Sequence, residues 1–313
     1  MLIILEGVDG AGKSTTADAI ARLLPGATRL HKGPMTADAI TEYEDPLASY
    51  RPGSETHVIC DRWHVGELVY GPVLRGKARM TLAERRHIDL FLAARGAVVV
   101  HVTASMSTIR QRLSTRGDDL VTLDQIDELN DRYFDVVQHL DVVHGRLYTE
   151  ADENIYAQLQ VLAGTALAHE MRTAPLVEFP TYIGAANPTL LLLGERRNTF
   201  DRPSAFVPAP NTSGAYLLEH LPEDVFATWL GIANACEEDI GKLWETLGRP
   251  AVVALGRAAA EQCRQAELPH GVVPHPQYVR RFHHHHGRRY GAMIREAAQY
   301  QEDLSGALRH PSA

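Results

Sequence analysis

The sequence predicts an α/β protein built from two domains. Short apolar runs alternate with helical stretches along the first half, a pattern typical of a parallel sheet with helices on both faces. The pattern begins again near residue 189, after a segment rich in Pro, Gly and Ala. The length of 313 residues agrees with this division, because a domain has roughly 150 residues.

The elements of the first domain, which we place at 1–172, follow from hydrophobic periodicity. Apolar runs of strand length lie at Leu2–Glu6, Val58–Asp61 and Ala97–Thr103. Longer segments with helical periodicity lie at Ser14–Leu24, Leu82–Arg95, Leu123–Gln138 and Asn154–Met171.

Residues 173–187 are the predicted linker, and residues 188–313 form the second predicted α/β domain, a three-layer one. Its predicted strands are Thr189–Leu193, Ala251–Leu255 and Val272–Val273. Its predicted helices are Gly214–His220, Glu237–Leu247, Ala258–Ala266 and Arg288–Leu304.

Composition narrows the class of protein. Hydrophobic residues make up 45% of the chain, and no apolar run approaches the roughly 20 residues of a membrane span. The first ten residues lack the basic start and cleavage site of a signal peptide. Three widely spaced cysteines fit reduced thiols, which favours a cytoplasmic protein. A net charge of −8 argues against nucleic-acid binding over the whole surface.

A glycine-rich motif, G-x-x-x-x-G-K-S, connects the first predicted strand to the first predicted helix. Glycines let backbone N–H groups turn inward onto phosphate oxygens, and the helix N-terminus adds a positive dipole. Lys13 is expected to reach the β- and γ-phosphates, and the Ser14 hydroxyl to bind Mg²⁺. The predicted cofactors are ATP and Mg²⁺. The predicted nucleotide-binding residues are Gly7, Asp9, Gly10, Ala11, Gly12, Lys13, Ser14 and Thr15.

An Asp-Arg pair ends the predicted strand Val58–Asp61. Because open α/β sheets bind ligands at the carboxyl ends of their strands, Asp61 is a candidate Mg²⁺ ligand. Arg62 offers a planar fork for a phosphate. A surface ion pair is the alternative for an isolated Asp-Arg, and the neighbouring glycine-rich motif argues against it.

The segments LEGVDGAGKST at 5–15, Asp61-Arg62-Trp63 and Tyr70-Gly71 together resemble the thymidylate kinase family over about residues 1–170. The resemblance implies in-line transfer of the γ-phosphoryl group from ATP·Mg²⁺ to a deoxynucleoside monophosphate. It also implies that Asp9 meets the deoxyribose 3′-hydroxyl, that Arg62 holds the acceptor monophosphate and that Tyr70 lies near the base.

A mobile lid with arginines is expected in such an enzyme, and Arg110, Arg112 and Arg116 have the right density and position. Arginine suits a lid because charge builds on the equatorial oxygens of the transferring phosphoryl group, and closure excludes water. Arg112 and Arg116 therefore join Lys13, Asp61 and Arg62 as catalytic candidates. For any single lid arginine, a solvated helix face is the alternative.

Two segments depart from the family pattern. The loop His31-Lys32-Gly33-Pro34 replaces an Arg-Glu-Pro-Gly loop, so that Lys32 could contact a phosphate as a point charge. Gly66 replaces a serine and makes room, and Glu67 beside it offers an acceptor or an acid. Two candidates for the acceptor base therefore remain, thymine and a modified pyrimidine. A Glu67 that only caps a helix explains the sequence equally well.

The second domain resembles the uracil-DNA glycosylase superfamily in its loops after strands, including Gly194-Glu195 and Pro274-His275-Pro276-Gln277. The resemblance implies that Glu195 and Asn198 lie where the family activates water, and that His275 lies where it stabilises the departing base. Arg196-Arg197 replaces the family's Pro-Gly, and Gln277 its Ser. Binding of a base, nucleotide or DNA without cleavage is therefore at least as consistent as excision.

The stretch from Leu268 to Arg295 contains five arginines, six histidines and no acidic residue. Its run His283–His286 does not suit a zinc site, because consecutive histidines cannot all face one ion on a regular element. A basic loop that meets phosphates is favoured, which predicts DNA contact through 268–295. A plain solvated loop is the alternative.

Three functions are open at this point. The leading one converts dTMP, or a modified nucleotide such as 5-hydroxymethyl-dUMP, to the diphosphate. The second phosphorylates a 5-hydroxymethyl pyrimidine in DNA, with the second domain binding or flipping the base, because a base inside a duplex cannot reach a γ-phosphate. In the third, the second domain is a non-enzymatic DNA-binding module. A homodimer is left open, and the fusion would suit a bacteriophage, which would place the protein in the host cytoplasm.

Overall fold

The computed structural model describes residues 1–116, 121–140, 142–150, 155–196, 202–221, 229–283 and 289–299. The chain divides into two compact units. The first unit comprises Met1–Thr81 and Arg95–Ala174, and the second comprises Leu82–Ala94 and Pro175–Ala313. A helix that lies inside the first predicted domain along the sequence thus belongs to the second unit in space.

A five-stranded sheet in which all neighbouring strands are parallel forms the centre of the first unit. Its spatial order is β2-β3-β1-β4-β5. The central strands are buried along their whole length, and for this reason their sequences are nearly continuous apolar runs. The predicted α/β class with a parallel sheet is confirmed. The strands are β1 (Leu2–Glu6), β2 (Thr28–His31), β3 (Val58–Asp61), β4 (Ala97–Thr103) and β5 (His144–Tyr148).

Helices cover both faces of this sheet. The helices up to residue 174 are α1 (Lys13–Leu23), α2 (Ala39–Tyr43), α3 (His64–Arg75), α4 (Leu82–Ala94, in the second unit), α5 (Met106–Arg116), α6 (Leu123–Gln138) and α7 (Ile155–Thr173). Residues of α1 and α7 share one apolar core with Ile3 and Leu5 of β1. On the opposite face, Glu6 contacts the start of α3 and Tyr133 of α6.

The second unit also has a five-stranded sheet, in the order β10-β9-β7-β8-β6. Four strands are parallel, and the short edge strand β6 pairs antiparallel with β8. One face packs against α9 and α10. The strands are β6 (Ile183–Gly184), β7 (Leu190–Gly194), β8 (Leu230–Asn234), β9 (Ala251–Leu255) and β10 (Gly271–Val273). The helices are α8 (Ser213–His220), α9 (Ile240–Thr246), α10 (Arg257–Gln265) and α11 (Pro276–Phe282), and residues 289–299 are also helical.

Several elements were not predicted, and each has a local reason. The strands β2 and β5 have mixed polar sequences at the edges of their sheet. The helix α3 contains Gly66, Gly71 and Pro72, which have low helix propensity. The predicted linker 173–187 contains the 3-10 helix Ala174–Glu178 and the strand β6. No helix among the described residues is long and apolar enough to cross a membrane.

Candidate active site

The glycine-rich loop connects β1 to α1 in a conformation that suits phosphate binding. Gly10 and Gly12 have φ angles of 80° and 98°, in the left-handed region that favours glycine. A Cβ on Gly7 would lie 2.2 Å from the carbonyl oxygen of Val102, so a side chain does not fit there. Gly12 directly precedes α1, whose first N–H groups have no intrahelical acceptor. The loop therefore presents backbone donors at a positive helix end, as an anion site requires.

Lys13 lies inside this loop. Its side chain is buried, and Nζ donates to the carbonyl oxygens of Gly7 and Val8, each at 2.8 Å. Burial and the nearby charge of Arg62 together lower the pKa of Lys13 to about 8, against the opposing effect of Asp9. The ammonium group is thus held beside the loop by neutral carbonyl acceptors, which charged phosphate oxygens can replace.

A hydroxyl and a carboxylate meet beside the loop. Ser14 Oγ donates to Asp61 Oδ2 at 3.1 Å. The other oxygen, Asp61 Oδ1, is buried and has no hydrogen-bond partner within the described part of the chain. Mg²⁺ binds through one or two protein oxygens and takes its remaining ligands from water and phosphates. The pair therefore fits this ion, although the described residues contain no cluster of three or more His, Cys, Asp or Glu that could bind a metal alone.

The three residues expected to contact the acceptor lie together. Arg62 Nη2 forms an ion pair with Asp9 Oδ1. The hydroxyl of Tyr70 donates to Asp9 Oδ2 at 2.9 Å and accepts from the Asp9 N–H at 3.1 Å. In consequence, a guanidinium, a carboxylate and a phenol lie together next to the loop.

The backbone of Arg62 is in the left-handed region, with a φ of 68°. This conformation is unfavourable for a residue with a side chain, and neighbouring contacts must maintain it. The N–H of Arg62 donates to Leu5 O at 2.9 Å. The next N–H, that of Trp63, donates to Glu6 Oε1 at 2.8 Å, and the N–H of Val65 donates to the same oxygen at 3.1 Å.

Glu6 therefore caps α3 from the neighbouring strand. Its side chain is fully buried, and its second oxygen accepts from the Tyr133 hydroxyl at 3.4 Å. Burial raises the pKa of Glu6, against the charges of His64 and Lys13 and the backbone hydrogen bonds. Sequence analysis assigned Glu6 no role. The available signal was an acidic residue at the end of an apolar strand that precedes a glycine-rich loop.

Lys32 and Glu67, two further predicted substrate contacts, are engaged within the protein. Lys32 Nζ donates to Glu42 Oε1 at 3.0 Å and lies 5.8 Å from the centroid of the Trp63 ring. Glu67 is buried, and its Oε1 accepts from Arg75 at 2.5 Å and from the Arg79 N–H at 2.8 Å. Glu67 therefore holds the end of α3 and the segment that follows it, and neither contact is the helix cap that the alternative expectation gave it.

Arg110 and Arg112, two of the predicted lid arginines, make different contacts. Arg112 Nη1 donates to Gly10 O at 3.1 Å and to Thr149 Oγ1 at 3.0 Å, so this side chain reaches the glycine-rich loop. Arg110 instead forms an exposed ion pair with Asp127 of α6. The side chain of Arg116 lies outside the described part of the structure.

A second group of polar residues lies at the carboxyl ends of the parallel strands in the second unit. Glu195 directly follows β7, and His275 directly precedes α11, where its Nδ1 accepts from the Gln277 N–H at 3.2 Å. Burial lowers the pKa of His275, and the charge of Glu195 opposes this shift. The third predicted residue, Asn198, lies outside the described residues.

Two residues that sequence analysis did not assign to this group also lie here. A Cβ built on Gly194 would lie 2.3 Å from the Phe206 ring and 3.3 Å from Asn234 Oδ1. An aromatic ring and a side-chain amide therefore lie next to the end of β7. Phe206 lies in an irregular loop, where residue spacing carries no signal.

Comparison with known proteins gives relatives for part of the chain. No protein-family model matches it. The SPbeta prophage-derived uncharacterized protein YorR of Bacillus subtilis (strain 168) is 29% identical over 143 residues, which are 44% of this chain and 82% of YorR.

Solved structures also match about half of the chain. The crystal structure of YorR from Bacillus subtilis in complex with phosphorylated GDP has 27% identity and a TM-score of 0.44, over 54% of this chain and 98% of YorR. Deoxyadenosine kinase from M. mycoides has 19% identity and a TM-score of 0.34, over 54% and 99%. Thymidylate kinase from Candida albicans has 16% and 0.34, over 54% and 92%. Since these TM-scores are below 0.5, the fold is assigned from the strand order and loop geometry described above.

Proposed function

We propose that the first unit is an ATP-dependent kinase that converts a deoxynucleoside monophosphate to the diphosphate. The observation that carries this proposal is the arrangement around the glycine-rich loop. Ser14 hydrogen-bonds to Asp61 beside the loop, and Asp9, a residue of the loop, contacts both Arg62 and Tyr70. A metal-binding pair and a phosphate-binding group next to one glycine-rich loop suit transfer between two phosphorylated ligands.

The donor side follows from the loop and its neighbours. Bound Mg²⁺·ATP supplies the transferable phosphoryl group, and the metal offsets charge on its oxygens. Ser14 and Asp61 would hold Mg²⁺, and the N–H groups at the start of α1 would hold the phosphates. Lys13 adds a positive charge beside them. Arg112, which contacts Gly10, adds a second charge at the edge of the loop where the phosphoryl group leaves.

The acceptor side requires an exchange of partners. Arg62 would leave Asp9 to bind the 5′-monophosphate with its planar fork, and Asp9 would then accept from the deoxyribose 3′-hydroxyl. A monophosphate oxygen attacks the γ-phosphorus, and ADP departs as the bond between the γ-phosphorus and the β–γ bridging oxygen breaks. We propose dTMP or a modified pyrimidine nucleotide such as 5-hydroxymethyl-dUMP as the acceptor, since Asp9, Arg62 and Tyr70, the acceptor contacts that the resemblance to thymidylate kinases implies, lie together.

An ATP-consumption assay with each acceptor alone tests the proposal. The panel contains dTMP, 5-hydroxymethyl-dUMP, dGMP and DNA that carries 5-hydroxymethyluracil. A guanine nucleotide is included because YorR was solved with phosphorylated GDP. We expect turnover with a free pyrimidine monophosphate and its loss in Lys13→Ala. The proposal fails if the wild-type protein phosphorylates none of the free monophosphates.

The second candidate function is phosphorylation of a 5-hydroxymethyl pyrimidine already in DNA. The observation that favours it is that Phe206, Asn234 and His275 all lie at the carboxyl ends of parallel strands in the second unit, because an aromatic face, an amide and an imidazole are suited to a flipped base. Turnover with the modified DNA, and none with the monophosphates, would select this function. DNA contact through 268–295 belongs to the same proposal, and salt-dependent binding of duplex DNA would test it.

A further inference from the structure

Thr149, the first residue after β5, lies between the glycine-rich loop and Arg112. Its N–H donates to Thr103 O at 2.9 Å, which continues the hydrogen bonding between β4 and β5. The backbone position of Thr149 is therefore set by the pairing of β4 with β5.

The Thr149 hydroxyl both donates and accepts. It donates to Ala11 O at 2.8 Å, with Thr103 O as a longer alternative acceptor at 3.4 Å, and it accepts from Arg112 Nη1 at 3.0 Å. A hydroxyl has one hydrogen and two lone pairs, so both bonds form at once. The same hydroxyl thus holds the loop backbone and orients the guanidinium.

The helix that carries Arg112 packs directly on the loop. A Cβ on Gly10 would lie 3.0 Å from Ile109 O and 3.1 Å from the Leu113 side chain, both of α5. A Cβ on Gly12 would lie 3.1 Å from Thr149 Cγ2. The glycines are therefore needed for close packing as well as for backbone conformation, and α5 brings its arginine to the loop edge.

We propose that Thr149 is a positioning residue that holds Arg112 on the phosphate groups of the bound nucleoside triphosphate. Arg110, two residues earlier on α5, instead pairs with Asp127 and has no such role. The expected effect on kcat rests on the proposed phosphotransferase function, whereas the expected effect on the affinity for ATP does not require an acceptor. A fixed neighbour that orients Arg112 lowers the entropy cost of nucleotide binding, because an unrestrained arginine side chain loses rotamer freedom when the ligand binds.

The test compares Thr149→Val, which keeps the shape and removes the hydroxyl, with Thr149→Ser, which keeps the hydroxyl. Thr165→Val is the matched control, because that hydroxyl makes one exposed hydrogen bond within α7, to Val161 O. We expect Thr149→Val to lower kcat about 10- to 100-fold, the effect of losing a hydrogen bond to a charged group, with little change in the KM of the acceptor. Thr149→Ser is expected to retain most of the activity, and Thr165→Val all of it.

A double-mutant cycle with Arg112→Met separates positioning from a simple loss of loop structure. If Thr149 acts through Arg112, adding Thr149→Val to Arg112→Met lowers kcat and the equilibrium affinity for ATP little further. Fully additive effects, or an inactive Thr149→Ser, would overturn the proposal. Equilibrium ATP binding by the wild type, the two single variants Thr149→Val and Arg112→Met, and the double variant tests the positioning role even if no acceptor is phosphorylated. A lack of phosphorylation would count against the proposed function alone.

Discussion

Replacing Glu6 with alanine removes the shared acceptor of two buried backbone N–H groups, those of Trp63 and Val65. Each unsatisfied buried donor costs about 1–3 kcal/mol, so the free energy of unfolding of the first unit should fall by about 2–6 kcal/mol. The loss of a buried carboxylate offsets part of this cost, because burial raises its pKa and thus disfavours its charged form.

Glu6→Gln distinguishes the hydrogen bonds from the charge. Its carbonyl oxygen can accept from both N–H groups, while its amide can donate to the Tyr133 hydroxyl. We therefore expect Glu6→Gln to be at least as stable as the wild type at pH 7. The sign follows from the pKa of Glu6, which is raised in the fold. The folded state holds its proton more tightly, so wild-type stability falls as pH rises above 4.5, and the advantage of Glu6→Gln grows.

Urea denaturation at several pH values measures these differences. In a Trp229→Phe, Trp244→Phe background, the fluorescence of the buried Trp63 reports on the first unit. Glu128→Ala is the matched control, since it removes a carboxylate that pairs with Arg132 on the exposed surface of α6 and should change stability little. The reasoning is refuted if Glu6→Ala stays within about 1 kcal/mol of the wild type, or if Glu6→Gln loses as much stability as Glu6→Ala.

Three further predictions concern other parts of the molecule. Tyr70→Phe removes the hydroxyl that orients Asp9, so the KM of the acceptor should rise about 5- to 10-fold with the KM of ATP unchanged, as steady-state kinetics would show. Burial lowers the pKa of Lys13 to about 8 from the ordinary value of 10.5. Because the unfolded chain then binds more protons than the folded one, the free energy of unfolding of the ligand-free protein should rise as the pH rises from about 8 to 10.5. Urea titrations at several pH values should show that Lys13→Met lacks the part of this rise that comes from Lys13. A fragment of residues 175–313 lacks α4, whose Ala94 belongs to the core of the second unit and whose Arg86 donates to Leu221 O. Circular dichroism melting should show this fragment to be unstable, and attaching residues 82–94 through a flexible linker should restore a cooperative transition; a stable fragment without them would contradict the assignment of α4.

Much of the fold could be predicted because its signals are local. The strands β1, β3, β4 and β9 have the predicted bounds, since a strand buried on both faces is a continuous apolar run. The helix α6 also has the predicted bounds, and its start is marked by a capping box in which Thr122 and Gln125 satisfy each other's backbone groups. Edge strands such as β2 lack this signal because only part of their surface is buried.

The candidate site was predictable where one segment contains all its parts. The glycine-rich loop is such a segment, and the Asp61-Arg62 pair lies at the end of a recognisable strand. The sequence did not predict which of Arg110 and Arg112 contacts the loop, since both lie on α5 only two residues apart. That choice depends on Thr149, which is distant in sequence and reaches the loop only through the order of the strands.

By itself, the sequence determined a phosphate-binding loop between a buried strand and a helix, and an Asp-Arg pair at the end of a second strand. Both follow from backbone geometry and apolar periodicity within a few residues of the chain. Only the tertiary structure decided that Glu6 caps α3 and maintains the left-handed Arg62, that Arg112 lies on the loop, and that α4 belongs to the second unit. The physical reason is that each depends on contacts between residues far apart in sequence. Parallel strand pairing brings Glu6 to α3 and Arg112 to the loop, and packing on β6 and α8 brings α4 into the second unit.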